Sequence, residues 1–116
     1  MVMQPISFDV LAEKYLKNGE KDEQTIFARV AKSLASVEEP SLREEVEKKF
    51  LENFNAGAIG AGRIMSSAGT GIKATLINCF VQPVGDCIQD LDEDGYPGIY
   101  EALKQAAETM RRGGGV

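Results

Sequence analysis

The stretch Arg63-Ile-Met-Ser-Ser-Ala-Gly-Thr-Gly-Ile-Lys-Ala-Thr-Leu-Ile-Asn-Cys-Phe-Val-Gln-Pro-Val-Gly-Asp86 decides how this chain is read. It opens on small residues and two glycines, Gly69 and Gly71, which let a backbone turn without a Cβ clash. It then runs into Thr75 to Val81, apolar apart from Thr75, Asn78 and Cys79, and ends before Pro83. A short β-branched run closed by Pro and Gly fits a buried strand emerging from a flexible loop better than a helix. Inside it Asn78 and Cys79 stand side by side, and a polar pair in an apolar strand needs a reason. On residue type alone, Cys79 is most simply a small buried hydrophobe.

Working outward, the N-terminal side reads as helices. Ser7 is placed to cap a helix with Phe8, Leu11, Ala12 and Tyr15 at helical spacing, and Asn18-Gly19 is its stop. Asp22 opens a second helix whose apolar face is Ile26, Phe27, Val30, Ala31, Leu34 and Ala35. Pro40 and Ser41 begin a third, with Leu42, Val46, Phe50 and Phe54 on one side and a wet Glu/Lys face on the other. Ala56 to Gly62 is rich in Gly and Ala and reads as a short helical turn and a tight approach. Beyond the strand, an acidic loop from Asp90 to Gly95 leads to Pro97, which starts a last helix. Ile99, Leu103, Ala106, Ala107 and Met110 are its inward face, and Arg111-Arg112 compensate its negative C-terminal end. Gly113, Gly114 and Gly115 stop it. Three glycines one residue before the final Val116 suit a backbone that must come close to something, so the chain is expected to be interrupted here.

The bulk numbers bound the function. A chain of 116 residues holds one modest core at most. With 13 basic and 18 acidic side chains the net charge is −5, which argues against a general affinity for nucleic acid or an anionic membrane. Met1 to Ser7 lacks the basic then apolar order of a secretory signal, no apolar run is long enough to span a bilayer, and a cytoplasmic location is the expectation. The two cysteines are read as free thiols, since residues eight apart on one extended segment are badly placed for a disulfide. The absence of histidine removes the commonest general base and zinc ligand.

Four blocks in fixed order carry a resemblance: Arg63 to Thr70, Thr75 to Asp86, Gly98 to Leu103, and Ala106 to Val116. Together they closely resemble the N-terminal part of adenosylcobalamin-dependent (class II) ribonucleotide reductases, from Ile6 onward. The resemblance implies a fragment that is mainly α, with N-terminal amphipathic helices followed by the first strand and helix of a ten-stranded α/β barrel. It implies a helical region at 1–55 and the truncated start of the barrel at 56–116. The implied parent is a ribonucleoside-diphosphate reductase that makes deoxyribonucleotides by a thiyl-radical mechanism.

In that family two cysteines supply the electrons that replace the 2′-hydroxyl, and the match makes Cys79 the first of them. A dithiol delivers two electrons by closing to a disulfide. Asn78 takes a place that meets the substrate, and Gly114 and Gly115 correspond to a loop whose backbone approaches the nucleotide. Gly62 falls where other members often carry a Ser or Thr touching the diphosphate, which leaves only a backbone contact here. Asp86 matches a residue that bonds the ribose of the allosteric dNTP effector at a site on a homodimer interface. The next residue departs from the pattern: Cys87 replaces a common serine, and a thiol is a weaker hydrogen-bond partner. The resemblance puts the radical cysteine, the second reducing thiol and the adenosylcobalamin contacts outside these residues. Partners implied are the remainder of the reductase chain and a thioredoxin-type reductant, and the fragment alone is expected to be inactive.

One pattern competes. Asp90, Asp92, Asp94, Gly95 and Glu101 match an EF-hand loop, with oxygen donors at positions one, three, five and twelve and the turn glycine at six. The alternative function is a small acidic calcium-binding module. Against it stand Pro83, which denies the loop an entering helix, and Pro97 at position eight, where an N–H normally pairs.

Overall fold

The computed structural model describes residues 3–17 and 19–116. The Asn18 part of the first helix stop therefore lies outside the described residues. Among the described residues the regular structure is five α-helices and one π-helical turn: α1 (Pro5–Val10) running into the π-turn (Leu11–Tyr15), α2 (Glu23–Ala35), α3 (Arg43–Asn55), α4 (Gly62–Ser67) and α5 (Ile99–Arg111). The chain divides into two compact units, Met1–Ile72 and Lys73–Val116.

The first unit is built on α2. Asp22 accepts the Thr25 N–H at 2.9 Å, while the Thr25 hydroxyl oxygen accepts the Asp22 N–H, a reciprocal cap that fixes where the helix begins. The face expected from spacing is the one buried: Ile26, Phe27, Val30, Ala31 and Ala35. Phe54 of α3 meets it, its ring centroid 5.4 Å from Phe27 and 6.0 Å from Phe50. Met65 and Ala68 close the cluster, with Leu11, Tyr15 and Leu16 packed alongside. Exposed pairs such as Lys49–Glu45 line the outer face of α3 and contribute little there.

Four sequence expectations change in this unit. The third helix, expected to begin at Pro40 and Ser41, starts at Arg43 with Leu42 as its N-cap, and Leu42 is exposed rather than on the buried face. The first helix starts at Pro5 with Gln4 as its cap, so Ser7 lies inside it and its N–H bonds the Gln4 carbonyl. Proline at the first helical position needs no N–H partner, and this moves the start upstream of Ser7. Phe8 is exposed. Residues 63–67, read as loop, are helical, because Ile64 and Met65 have apolar partners that outweigh the weak propensity of Gly and Ser.

The parts are joined by one guanidinium. Arg29 and Glu20 are 12% and 11% exposed and bond at 2.6 Å. The same guanidinium donates to the carbonyls of Met65 (3.0 Å), Tyr15 (3.4 Å) and Ala68. Burial works against the Glu20 charge, but the Arg29 hydrogen bond, the Lys17 N–H and nearby positive charge outweigh it and hold the carboxyl below its usual range. Gly69 completes the arrangement. Its φ is +75°, and a Cβ there would stand 2.9 Å from Arg29 Cγ and 3.2 Å from the Arg29 carbonyl.

The second unit contains no strand among its described residues, which corrects the strand expected over Thr75 to Val81. Only isolated bridges form, a parallel one between Cys79 and Gly115 and an antiparallel one between Leu91 and Pro97. A strand persists only where a neighbouring backbone continues beside it, and here the neighbour meets the segment at Arg112 and Gly115 alone. The inward face expected on α5 is also corrected. Ala102 is buried, but Ile99, Leu103 and Met110 are exposed because nothing in this unit lies over them. The unit holds its shape through backbone hydrogen bonds more than through a core.

Arg29→Ala is expected to lower the unfolding free energy of the first unit by about 3 kcal/mol, since it strands a largely buried carboxylate. Arg29→Lys should recover only part of that loss, because an ammonium cannot span four acceptors. Urea titration followed by helical circular dichroism measures both.

Candidate functional site

The Cys79 segment is fastened to the C-terminal glycines. The Gly115 N–H donates to the Asn78 carbonyl at 2.7 Å, and the Phe80 N–H donates to the Gly115 carbonyl at 2.9 Å. These two bonds make the Cys79–Gly115 bridge, and Thr75 N–H to the Arg112 carbonyl at 3.1 Å extends the attachment. Four residues singled out from sequence, Asn78, Cys79, Gly114 and Gly115, are therefore brought together. The Cys79 thiol is free and exposed.

Each glycine of the triplet meets a different demand. Gly113 has φ +88°, and it ends α5 in a Schellman turn, its N–H bonding the Met110 carbonyl at 2.8 Å and the Gly114 N–H bonding Thr109 at 3.0 Å. Gly114 is buried under the Phe80 ring. Gly115 carries the bridge. Just before this turn Arg111 and Arg112 clasp Glu108, and their hydrogen bonds hold its carboxyl down to about 2. The two arginines are thus ion-paired within their own helix end.

Asp86 lies in a separate turn of the same unit. The organising group there is the Asp92 carboxylate, which accepts the N–H groups of Tyr96 (2.8 Å), Asp86 (3.0 Å) and Asp94 (3.0 Å). Gly85 is required beside it, since a Cβ would come within 2.5 Å of Asp92 Oδ2 and 2.7 Å of the Tyr96 carbonyl. From sequence, Asp92 stands out only as a calcium donor of the EF-hand-like loop. Its spacing to Gly95 marks an Asx-type turn, a signal available in the residues themselves.

The calcium reading is not supported. Among the described residues no group of three or more His, Cys, Asp or Glu side chains is placed to hold a metal ion. Asp90, Asp92, Asp94 and Glu101 do not converge: Asp92 spends its oxygens on backbone N–H groups, and Glu101 faces Lys104 along α5. Residues 82–87 contain no entering helix.

Cys87 has a structural task. Its carbonyl accepts the Ile99 N–H at 2.9 Å, and the neighbouring Ile88 carbonyl accepts that of Tyr100 at 3.1 Å, so the segment caps the start of α5. A Cβ on Gly98 would lie 2.8 Å from the Cys87 sulfur. Partial burial and the carboxylates of Asp92, Asp90 and Asp86 push this thiol up, which suppresses its thiolate at neutral pH.

Gly62 belongs to the first unit, as the first residue of α4. A Cβ there would stand 3.0 Å from the Tyr15 hydroxyl, the tight approach expected of this segment. It borders a cleft of about 610 Å³ whose walls include Ile6, Val10, Phe27, Ile59 and Met65.

The Asp92 turn titrates with a defined sign. The N–H groups of Tyr96, Asp86 and Asp94 hold the Asp92 carboxyl below its ordinary value of 3.8, with burial opposing them. The turn is accordingly intact above that value and loosens as pH falls through the depressed one. Amide NMR should show the Asp86, Asp94 and Tyr96 resonances moving together only below pH 3.8, and Asp92→Ala should abolish that joint transition.

No helix among the described residues is long and apolar enough to cross a membrane. Compared with curated proteins and with solved structures, the chain matches none. The family profile of the ribonucleotide reductase all-alpha domain matches residues 1–73, more than half of the sequence and almost the same span as the first compact unit. On that match the chain belongs to the ribonucleotide reductase all-alpha domain family, the helical N-terminal part of a reductase catalytic chain.

Proposed function

We propose that the chain is the N-terminal portion of an adenosylcobalamin-dependent ribonucleoside-diphosphate reductase. In this reading residues 1–55 form the helical region and 56–116 begin a ten-stranded α/β barrel, with Cys79 on a segment that pairs with its neighbour through a single bridge. Family membership supports the parent activity. The observation that supports the assignment of the site is the bridge between Cys79 and Gly115, which sets the backbone of the cysteine beside that of the glycine.

Cys79 gives one of the two thiols. As the ribose 2′-hydroxyl leaves as water, two thiols lose their hydrogens and join as a disulfide, so the two electrons and two protons balance. Asn78, Gly114 and Gly115 line the nucleotide beside it, and Gly62 meets the diphosphate through its backbone. Asp86, held by Asp92, receives the ribose of a dNTP effector at a homodimer interface. The resemblance implies that the other reducing cysteine and the radical cysteine lie in the remainder of the reductase chain, and Cys87 is given no part in the reaction. Adenosylcobalamin, when bound, supplies the radical that starts turnover. No residue here is assigned to hold it, and no step of this chain runs through it. A thioredoxin-type protein re-reduces the enzyme in the cytoplasm.

By itself this polypeptide is expected to show no turnover. In the complete reductase, Cys79→Ser should reduce turnover with external reductant by on the order of 10³ or more, since it removes one member of an acting pair. Near-normal steady-state activity in that variant would refute the assignment.

A further inference from the structure

We propose that Phe80 is a positioning residue for the nucleotide, acting through the Gly114–Gly115 backbone; this rests on the reductase reading above. The geometry that carries it is a lock around Gly114. A Cβ at that position would lie 2.6 Å and 2.9 Å from two carbons of the Phe80 ring and 2.9 Å from the Thr109 methyl. Gly114 is buried between them, although the ring itself keeps 37% of its surface exposed.

The same residue is engaged twice. Its N–H donates to the Gly115 carbonyl, while its ring lies against Gly114. On the far side the Gly115 N–H reaches the Asn78 carbonyl, and a Cβ on Gly115 would stand 3.4 Å from that same oxygen. The distance between the glycine backbone and the Asn78–Cys79 peptide is therefore set by a rigid ring on one face and Thr109 on the other. An aromatic side chain has few rotamers, so it acts as a spacer at small entropic cost. Removing the ring frees the glycines to swing, and the sugar they border loses its height relative to the Cys79 sulfur.

Amide hydrogen exchange on the full chain, without nucleotide, tests the lock. Phe80→Ala should accelerate exchange of the Phe80 and Gly115 amides about tenfold through local opening. The Ile99 and Tyr100 amides, bonded elsewhere in the same unit, should be unchanged, and Phe80→Tyr should restore the native pattern. Gly114→Ala attacks the lock from the other side and should accelerate the same two amides, with the double variant no worse than the singles. Unchanged protection in Phe80→Ala, uniform loss across all four amides, or additive effects in the double variant would overturn the proposal.

In the complete reductase, assayed with the four ribonucleoside diphosphates against the four dNTPs, Phe80→Ala should raise substrate KM about tenfold while leaving the half-stimulating concentration of the activating dNTP unchanged, the split expected when one site alone is loosened. Equal losses for both ligands, or an unchanged KM, would also overturn it. The exchange experiment contains no nucleotide, so its failure strikes the Phe80 assignment and leaves the reductase reading to the Cys79 variant.

Discussion

A single guanidinium holds the first unit in register. Arg29 projects from α2 and bonds the Glu20 carboxylate together with main-chain carbonyls of Tyr15, Met65 and Ala68. Those groups come from the end of the π-turn, the approach to α2 and the end of α4, and one cation bonds them all. A charge taken largely out of water demands complete pairing, and the demand is what ties the segments to one another. Gly69 is the consequence in the sequence, because any side chain there would displace Arg29 from its acceptors. The core of Ile26, Phe27, Val30, Phe54 and Met65 supplies the driving force, and Arg29 selects the arrangement.

The second unit is organised on other terms. Ala102 is the one buried residue of α5, whereas Ile99, Leu103 and Met110 face solvent. Its shape comes from the Asp92 turn, the Cys87–Ile88 carbonyls at the start of α5, and the glycine bridge at its end. Backbone bonds of this kind position groups well but contribute modestly to stability when exposed. The groups assigned to the nucleotide are thus arranged by main-chain bonds, with exposed apolar side chains around them.

Legibility in the sequence followed the range of each interaction. Asp22 with Thr25, and the spacing of Ile26, Phe27, Val30 and Ala31, are local signals, so α2 was readable down to its cap. The helix of Ile99 to Arg111 was equally readable, but its burial was not, since periodicity marks an apolar face without saying what lies on it. Gly62–Ser67 was hidden by composition, as its helicity depends on Met65 reaching a distant core. The Thr75–Val81 strand failed for the complementary reason: β-propensity needs a partner backbone, and only Gly115 and Arg112 are at hand. At the candidate site, Cys79 and the glycines were recognised through their blocks of sequence. Their contact, the Phe80 spacer and the Asp92 turn depend on distances that no linear reading contains.

The central claim is that Cys79 donates electrons beside a nucleotide held by Gly114 and Gly115. Its most direct measurement is disulfide mapping by mass spectrometry after one turnover of the complete reductase with no external reductant. Cys79 should pass from an alkylatable thiol into a disulfide in step with deoxyribonucleotide formed, while Cys87 stays alkylatable. Product formed with Cys79 still fully reduced would contradict it.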